Sequence, residues 1–198
     1  HFGMRFACPF MPAFTQQLAA FNQYTTHTRI GTGAVEAALR QVERHRYVPD
    51  APIADAYNEQ AVITHTFSDG THLSCASGPS IVAAMLDALD VHPGMRILEI
   101  GAGTGYNAAL LATLTGPDGE VTTIDINADV TAAARTNLDA TGYRHVRVIT
   151  RDGAQGAPEH AVFDRIIVTV GAWDLPQRWW DQLALGGRRR QEQRRSGD

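Results

Sequence analysis

Apolar positions change their spacing several times along the chain, and each change marks an element. After Thr32, Val35, Ala38, Leu39 and Val42 recur every three or four residues, which predicts a helix that Pro49 stops just after Arg46-Tyr47-Val48. Over 50–80, prolines, glycines and serines separate three β-favouring patches, Ala61-Val62-Ile63-Thr64, Thr66-Phe67 and Thr71-His72-Leu73. Short extended pieces suit that composition, with a hairpin turning at Asp69-Gly70. Pro79 opens the next helix, whose apolar stripe is Ile81, Val82, Met85, Leu86 and Leu89 and whose stop is Pro93-Gly94.

Strand and helix patterns then alternate, with strands expected over 97–100, 121–124, 146–149 and 165–170 and helices over 107–114 and 129–140. The alternation predicts an α/β fold built on a doubly wound, mostly parallel sheet covered on both faces. Leu183-Ala184-Leu185-Gly186-Gly187 reads as a helix end with a glycine stop. A strand should follow; the chain instead runs into Arg188-Arg189-Arg190-Gln191-Glu192-Gln193-Arg194-Arg195, so a sheet truncated at its C-terminal strands is expected. The organisation expected is an irregular arm over 1–31, one domain over 32–187 and a charged, disordered tail over 188–198.

Composition narrows the function. With 44% hydrophobic and 19% charged residues, the 198-residue chain is an ordinary folded domain. Its formal net charge of −4 argues against a general nucleic-acid binder and favours small or peptidic substrates. Cys8 and Cys75 form no CxxC pair, so a reducing, cytoplasmic setting is expected. No apolar run is long enough to cross a bilayer, and the start lacks the basic-then-apolar order of a secretion signal. His65, His72 and His160 read as solvated or structural rather than as metal ligands, and no metal site is expected.

The chemistry gathers at Gly101-Ala102-Gly103-Thr104-Gly105-Tyr106, between a strand and a helix, where side chains would block a tight turn and the close approach of a ligand. Asp125, at the end of the next strand, is placed to accept hydrogen bonds from both ribose hydroxyls of a nucleoside. Asp152-Gly153 follows the third strand, where a carboxylate can meet an adenine amine and the glycine leaves room for the ring. A nicotinamide dinucleotide calls for GxGxxG, whereas the spacing here is GxGxG followed by Tyr106. Glu99 adds negative charge unfavourable to a pyrophosphate and tolerant of a sulfonium, which favours S-adenosylmethionine.

The stretch Arg96-Ile97-Leu98-Glu99-Ile100-Gly101-Ala102-Gly103-Thr104-Gly105-Tyr106-Asn107-Ala108-Ala109 resembles the signature of the protein-L-isoaspartate O-methyltransferase family. His45-Arg46-Tyr47-Val48-Pro49, Ser77-Gly78-Pro79, Asp152-Gly153 and Phe163-Asp164-Arg165-Ile166-Ile167-Val168-Thr169 resemble further family words in the family's order, over roughly 35–187. The resemblance implies the class I S-adenosylmethionine-dependent methyltransferase fold, S-adenosyl-L-methionine as cofactor, S-adenosyl-L-homocysteine as product, and a peptide or protein substrate carrying aspartate or isoaspartate. It places Ser77 as the active-site serine, with Cys75-Ala76-Ser77 where the family has Thr-Ile-Ser. On the cofactor side it implies Glu99, Gly101, Ala102, Gly103, Gly105, Tyr106, Asp125, Ile126, Asp152, Gly153 and Val168. Ser74, Cys75, Val170 and Trp173 fall on the substrate side.

Gly116-Pro117-Asp118-Gly119-Glu120-Val121-Thr122-Thr123, Val168-Thr169-Val170-Gly171-Ala172-Trp173-Asp174 and the long stretch from Tyr57 to Ser77 resemble one branch most. That branch is the FxLD-type enzymes, similar to lanthipeptide-modifying methyltransferases, which implies esterification of an aspartate in a ribosomally made precursor peptide, leading to succinimide and isoaspartate. General isoaspartyl repair is the alternative activity, and a non-catalytic cofactor-binding module the alternative of another class. Two local ambiguities remain open at this level. Ser77 could instead cap the helix beginning near Pro79, and Trp173, Trp179 and Trp180 could serve the core rather than a groove.

Overall fold

The central strand decides the architecture. Arg96-Ile97-Leu98-Glu99-Ile100 alternates its side chains, so Ile97 joins one apolar cluster while Leu98 and Ile100 join another on the opposite face. Both faces of this strand are therefore covered, as a parallel sheet requires. The computed structural model describes residues 33–66, 70, 72–172 and 174–184. The arm over 1–31, the turn residue Asp69, Trp173 and the tail over 188–198 lie outside them, as does the side chain of His72.

Helix α1 (Gly33–Gln41), a 3-10 turn (Arg44–Tyr47) and α2 (Ile53–Ala56) precede an antiparallel pair, β1 (Val62–Thr66) and β2 (His72–Ala76). Then come α3 (Pro79–Leu89), β3 (Arg96–Ile100), α4 (Tyr106–Thr115), β4 (Glu120–Asp125), α5 (Ala128–Ala140), β5 (Arg147–Thr150), β6 (Arg165–Val168) and α6 (Gln177–Asp181). The four parallel strands lie in the order β5-β4-β3-β6. The chain winds outward from β3 to β5, then crosses back to place β6 on the other side of β3. This reversal leaves a crevice at the carboxyl ends of β3 and β6, where ligands of open α/β sheets bind.

Local chemistry explains the boundaries. Pro79 occupies the first position of α3, and Asp90 closes that helix at φ 56°, a conformation a short polar side chain tolerates. The Asn127 side chain accepts from the main-chain N–H groups of Asp129 and Val130 at 2.8 and 3.2 Å and so caps α5. Helix α4 is apolar nearly all round because α1, α5 and the sheet enclose it. Leu110 on α4 is fully buried in the larger cluster, with Val35, Leu39, Leu86, Ile97 and Val121. Leu110→Ala should cost about 2–5 kcal/mol of stability, read as a lower midpoint in urea unfolding.

Two expectations are corrected here. Strand β6 ends at Val168, not at Val170, because Thr169 turns its hydroxyl onto the Ile100 and Gly101 carbonyls at 3.1 and 2.8 Å. The last described helix ends at Asp181, before the expected glycine stop. Beyond it, Leu183 forms a parallel bridge to Phe163, with the Ala184 N–H donating to the Phe163 carbonyl at 2.7 Å. Leu183 and Ala184, read as part of a helix end, thus pair beside the entry to β6, while the glycine stop at Gly186-Gly187 lies outside the described residues.

Candidate active site

The glycine turn is held against the sheet from two directions. The N–H groups of Gly101 and Ala102 donate to the Ile124 carbonyl at 2.8 and 3.0 Å, folding the turn over the end of β4. From α5, the Asn137 side chain donates to the Thr104 carbonyl at 3.0 Å. Gly101 has φ +105°, and a Cβ there would stand 2.5 Å from Val170 Cγ1 and 2.6 Å from Thr169 Oγ1. Only glycine lets the segment after β6 close over the turn.

Asp125 sits at the carboxyl end of β4. Its Oδ2 accepts from the Gly103 N–H at 3.4 Å, and its Oδ1 accepts from the Asn127 N–H at 3.2 Å. The carboxylate is thereby aimed across the turn. Asp152 Oδ1 accepts from the Ala154 N–H at 2.9 Å, starting a 3-10 turn over Gly153–Gln155. The Trp179 indole N–H donates to the Gly153 carbonyl at 2.8 Å. Trp179 is buried in the smaller apolar cluster, so its role is structural as well as cavity-facing.

Glu99 is fully buried in β3, with Oε1 accepting from the Asn107 amide at 2.7 Å and Oε2 lacking a hydrogen-bond partner. Burial pushes its carboxyl up to about 7; the nearby Thr123 hydroxyl and the Asn107 hydrogen bond oppose that rise and the Asp125 charge adds to it. Near neutral pH this group is poised between its two protonation states.

These elements enclose a cavity of about 780 Å³. Glu99, Gly101, Ala102, Gly103, Tyr106, Asp125, Ile126, Asp152, Gly153 and Val168 line it, and so do Ser74, Cys75, Ser77 and Val170 from the expected substrate side. Ile126 and Val170 are exposed apolar side chains at its mouth. The structure thus brings together residues up to about a hundred positions apart in the chain. Gly105 is the exception among the described residues. A Cβ there would stand 3.0 Å from Leu138 Cγ and 3.1 Å from the Ala134 carbonyl, so this glycine serves helix packing and not the cavity wall. The reason given for Gly153 is also corrected. Its Cβ would stand 2.5 Å from Ile100 Cγ2, so the glycine makes room for the protein's own core.

Ser77 lies between β2 and α3. Residue Gly78 occupies the cap position of α3 and no side chain caps that helix, which removes the capping alternative for Ser77. Its carbonyl accepts from Arg44 Nη2 at 2.8 Å, while its hydroxyl has no partner among the described residues. Elsewhere, His65 stands on β1 and His160 in a 3-10 turn. Among the described residues, no three His, Cys, Asp or Glu side chains gather into a set able to hold a metal ion. No described helix is long and apolar enough to cross a membrane.

Sequence reasoning missed Arg44, Asn107, Asn127 and Thr169 as cavity residues. The spacing of Asn107, eight residues after Glu99 and one helical position inside α4, was the available signal for that pair. Arg44 carried none, because its burial depends on carbonyls 12 to 33 residues away.

The family model described as protein-L-isoaspartate(D-aspartate) O-methyltransferase matches residues 15–189. A Methanopyrus kandleri protein-L-isoaspartate O-methyltransferase is 40% identical over 160 residues, covering 80% of this chain and 68% of that protein. One from Gloeobacter violaceus is 42% identical over 155 residues, covering 78% and 71%. A solved protein-L-isoaspartate O-methyltransferase superposes with a TM-score of 0.76 at 28% identity, over 87% of this chain and 53% of that one. A Plasmodium falciparum protein crystallised with S-adenosyl-L-homocysteine shares the fold, with a TM-score of 0.71 at 21% identity over 84% and 78%. The chain thus spans about two thirds of those curated relatives and about half of the first solved chain. Matched over most of its length by the family model, and carrying the glycine turn and Asp125 in one cavity with Ser77, the chain belongs to the protein-L-isoaspartate(D-aspartate) O-methyltransferase family of S-adenosylmethionine-dependent methyltransferases.

Proposed function

We propose that this protein esterifies the free carboxylate of isoaspartyl residues in proteins or peptides, the general repair-type activity, with S-adenosylmethionine as methyl donor. The observation that carries the reading is a single cavity joining the nucleoside-side groups, Asp125 and the glycine turn, to Ser77, whose hydroxyl has no partner among the described residues. The residues present fit the cofactor. Gly103 at φ +50° would direct a Cβ into open space, leaving its backbone approachable, and the buried Glu99 Oε2 offers an unused acceptor for a cationic group. Asp125 would hold the ribose hydroxyls, Asp152 the adenine amine, and Ile126 would cover the ring.

S-adenosylmethionine supplies a methyl group on a sulfonium, open to direct displacement. The chain's own work is alignment. An acceptor carboxylate is already ionised near neutral pH, so no general base is needed. The Ser77 hydroxyl would donate to one carboxylate oxygen and orient the other toward the donor side, and the apolar mouth at Ile126 and Val170 would keep water out once a peptide covers it.

Ser77→Ala should lower kcat about 10-fold to 100-fold, with binding of S-adenosylhomocysteine unchanged in calorimetry. The assignment is tested with labelled S-adenosylmethionine and two peptides differing only in aspartyl or isoaspartyl linkage. Base-labile ester on the isoaspartyl peptide alone is expected. The narrower reading, modification of a ribosomally made peptide, rests on the motif words over 116–123 and 168–174 and gains nothing from the relatives named above. Ester on the aspartyl peptide alone would favour it, and cofactor binding with no ester on either would leave a silent module.

A further inference from the structure

The seam between the two halves of the cavity is closed by one buried cation. Arg44, in the 3-10 turn after α1, is 1% exposed and forms part of the cavity wall. Its Nε donates to the Ala56 carbonyl at 2.6 Å, and its Nη2 donates to the carbonyls of Ala76 and Ser77 at 3.2 and 2.8 Å. On the other side its Cζ stands 5.0 Å from the centroid of the Tyr106 ring, the first residue of α4 after the glycine turn. Burying a guanidinium is costly, and a fold that only had to fill this space would do as well with an apolar side chain. What the planar fork adds is direction, because Nε holds the Ala56 carbonyl while Nη2 holds those of Ala76 and Ser77, with the guanidinium carbon over an aromatic ring.

The gripped segment is pinned on its far side too. The Ser80 hydroxyl donates to Glu59 Oε2 at 2.6 Å, and a Cβ on Gly78 would collide with the Glu59 carbonyl. Held at its carbonyl by Arg44, and followed by Gly78 packed against the Glu59 main chain and Ser80 bonded to the Glu59 side chain, Ser77 has little freedom to rotate its main chain. Its hydroxyl, without a partner among the described residues, keeps its heading only as long as that backbone does. We infer that Arg44 is a positioning residue, fixing the Ser77 hydroxyl relative to the glycine turn through Ser77's carbonyl and the Tyr106 ring. The inference rests on the reading of Ser77 as the acceptor-orienting group.

A cycle of Arg44→Lys, Ser77→Ala and the double variant tests it. Lysine keeps the charge, but its single nitrogen cannot hold the Ala56 carbonyl and the Ala76–Ser77 pair at once while a delocalised cation stands over the Tyr106 ring. Turnover is counted per site that binds S-adenosylhomocysteine in calorimetry, at a temperature where every variant is folded, so a loss of folded protein does not enter kcat. Arg44→Lys should lower kcat about tenfold with KM for S-adenosylmethionine within twofold of the wild type. In the Ser77→Ala background the same change should cost less than twofold. Multiplying losses, or weaker S-adenosylhomocysteine binding together with unchanged kcat per site, would overturn the positioning role while leaving the proposed activity standing. Wild-type protein that binds S-adenosylhomocysteine but forms no ester would overturn both.

Discussion

Asp125→Ala should weaken S-adenosylhomocysteine binding at least a hundredfold while the melting temperature moves by no more than a few degrees. The two halves of this expectation have different causes. Asp125 ends β4, whose pairing to β3 and β5 is made by the main chain and survives the change. The side chain's own contacts are two long hydrogen bonds from the Gly103 and Asn127 N–H groups, at 3.4 and 3.2 Å. Those contacts orient the carboxylate more than they hold the fold. A vicinal diol offers it two charge-assisted hydrogen bonds, each contributing about 1.5–3 kcal/mol, and together they correspond to roughly 10²- to 10⁴-fold in affinity. Asp125→Asn keeps one acceptor oxygen and should fall between the wild type and alanine. A loss below tenfold for the alanine variant, measured by calorimetry on folded protein, would move the nucleoside away from β4.

The difference between what was legible and what was not follows from the range of the interactions. The alternation of elements from α3 to β6 could be read because apolar spacing is a local property, and the edges found differ by one or two residues. The residues of the turn were legible for the same reason, since tight backbone geometry restricts residue type within a few positions. Their reasons were less so. Gly101 answers to Val170, Gly105 to Leu138 and Gly153 to Ile100, contacts across tens of residues that no window contains. Arg44 stands in the run Glu43-Arg44-His45-Arg46, which reads as a solvated face, yet the carbonyls of Ala56, Ala76 and Ser77 gather around it and bury it. Glu99 was legible as a cofactor-side residue, but its full burial follows from its place on an inner strand of a covered parallel sheet. Of the cavity residues missed from sequence, Arg44 and Thr169 take their environment from distant main chain.

Glu99→Gln should change the pH dependence of both stability and cofactor binding, in directions set by one titration. Burial raises the Glu99 carboxyl from its ordinary 4.5 to about 7, so the folded state binds this proton more tightly than the unfolded chain does. The stability it contributes is fully present below the unfolded value and is lost as pH rises through about 7. Glutamine cannot ionise, and its carbonyl can still accept from Asn107, so the variant should lack this decline. Above pH 7 it should be more stable than the wild type by an amount on the order of 1–3 kcal/mol, taking about 1.4 kcal/mol for each unit of displaced pKa as the ceiling. Binding should respond with the opposite sign. A cationic ligand in the cavity favours the ionised form of Glu99, so it should drive off the proton as it binds, and wild-type affinity for S-adenosylmethionine should rise between pH 6 and 8. Calorimetry in buffers of different ionisation enthalpy reads that proton release directly. The Gln variant should bind more weakly at pH 8 and release no proton there or at pH 6. Were it to keep the wild-type slope in both measurements, the titrating group would have to lie elsewhere in the cleft, and the unused Oε2 of Glu99 would have no part in holding the cofactor.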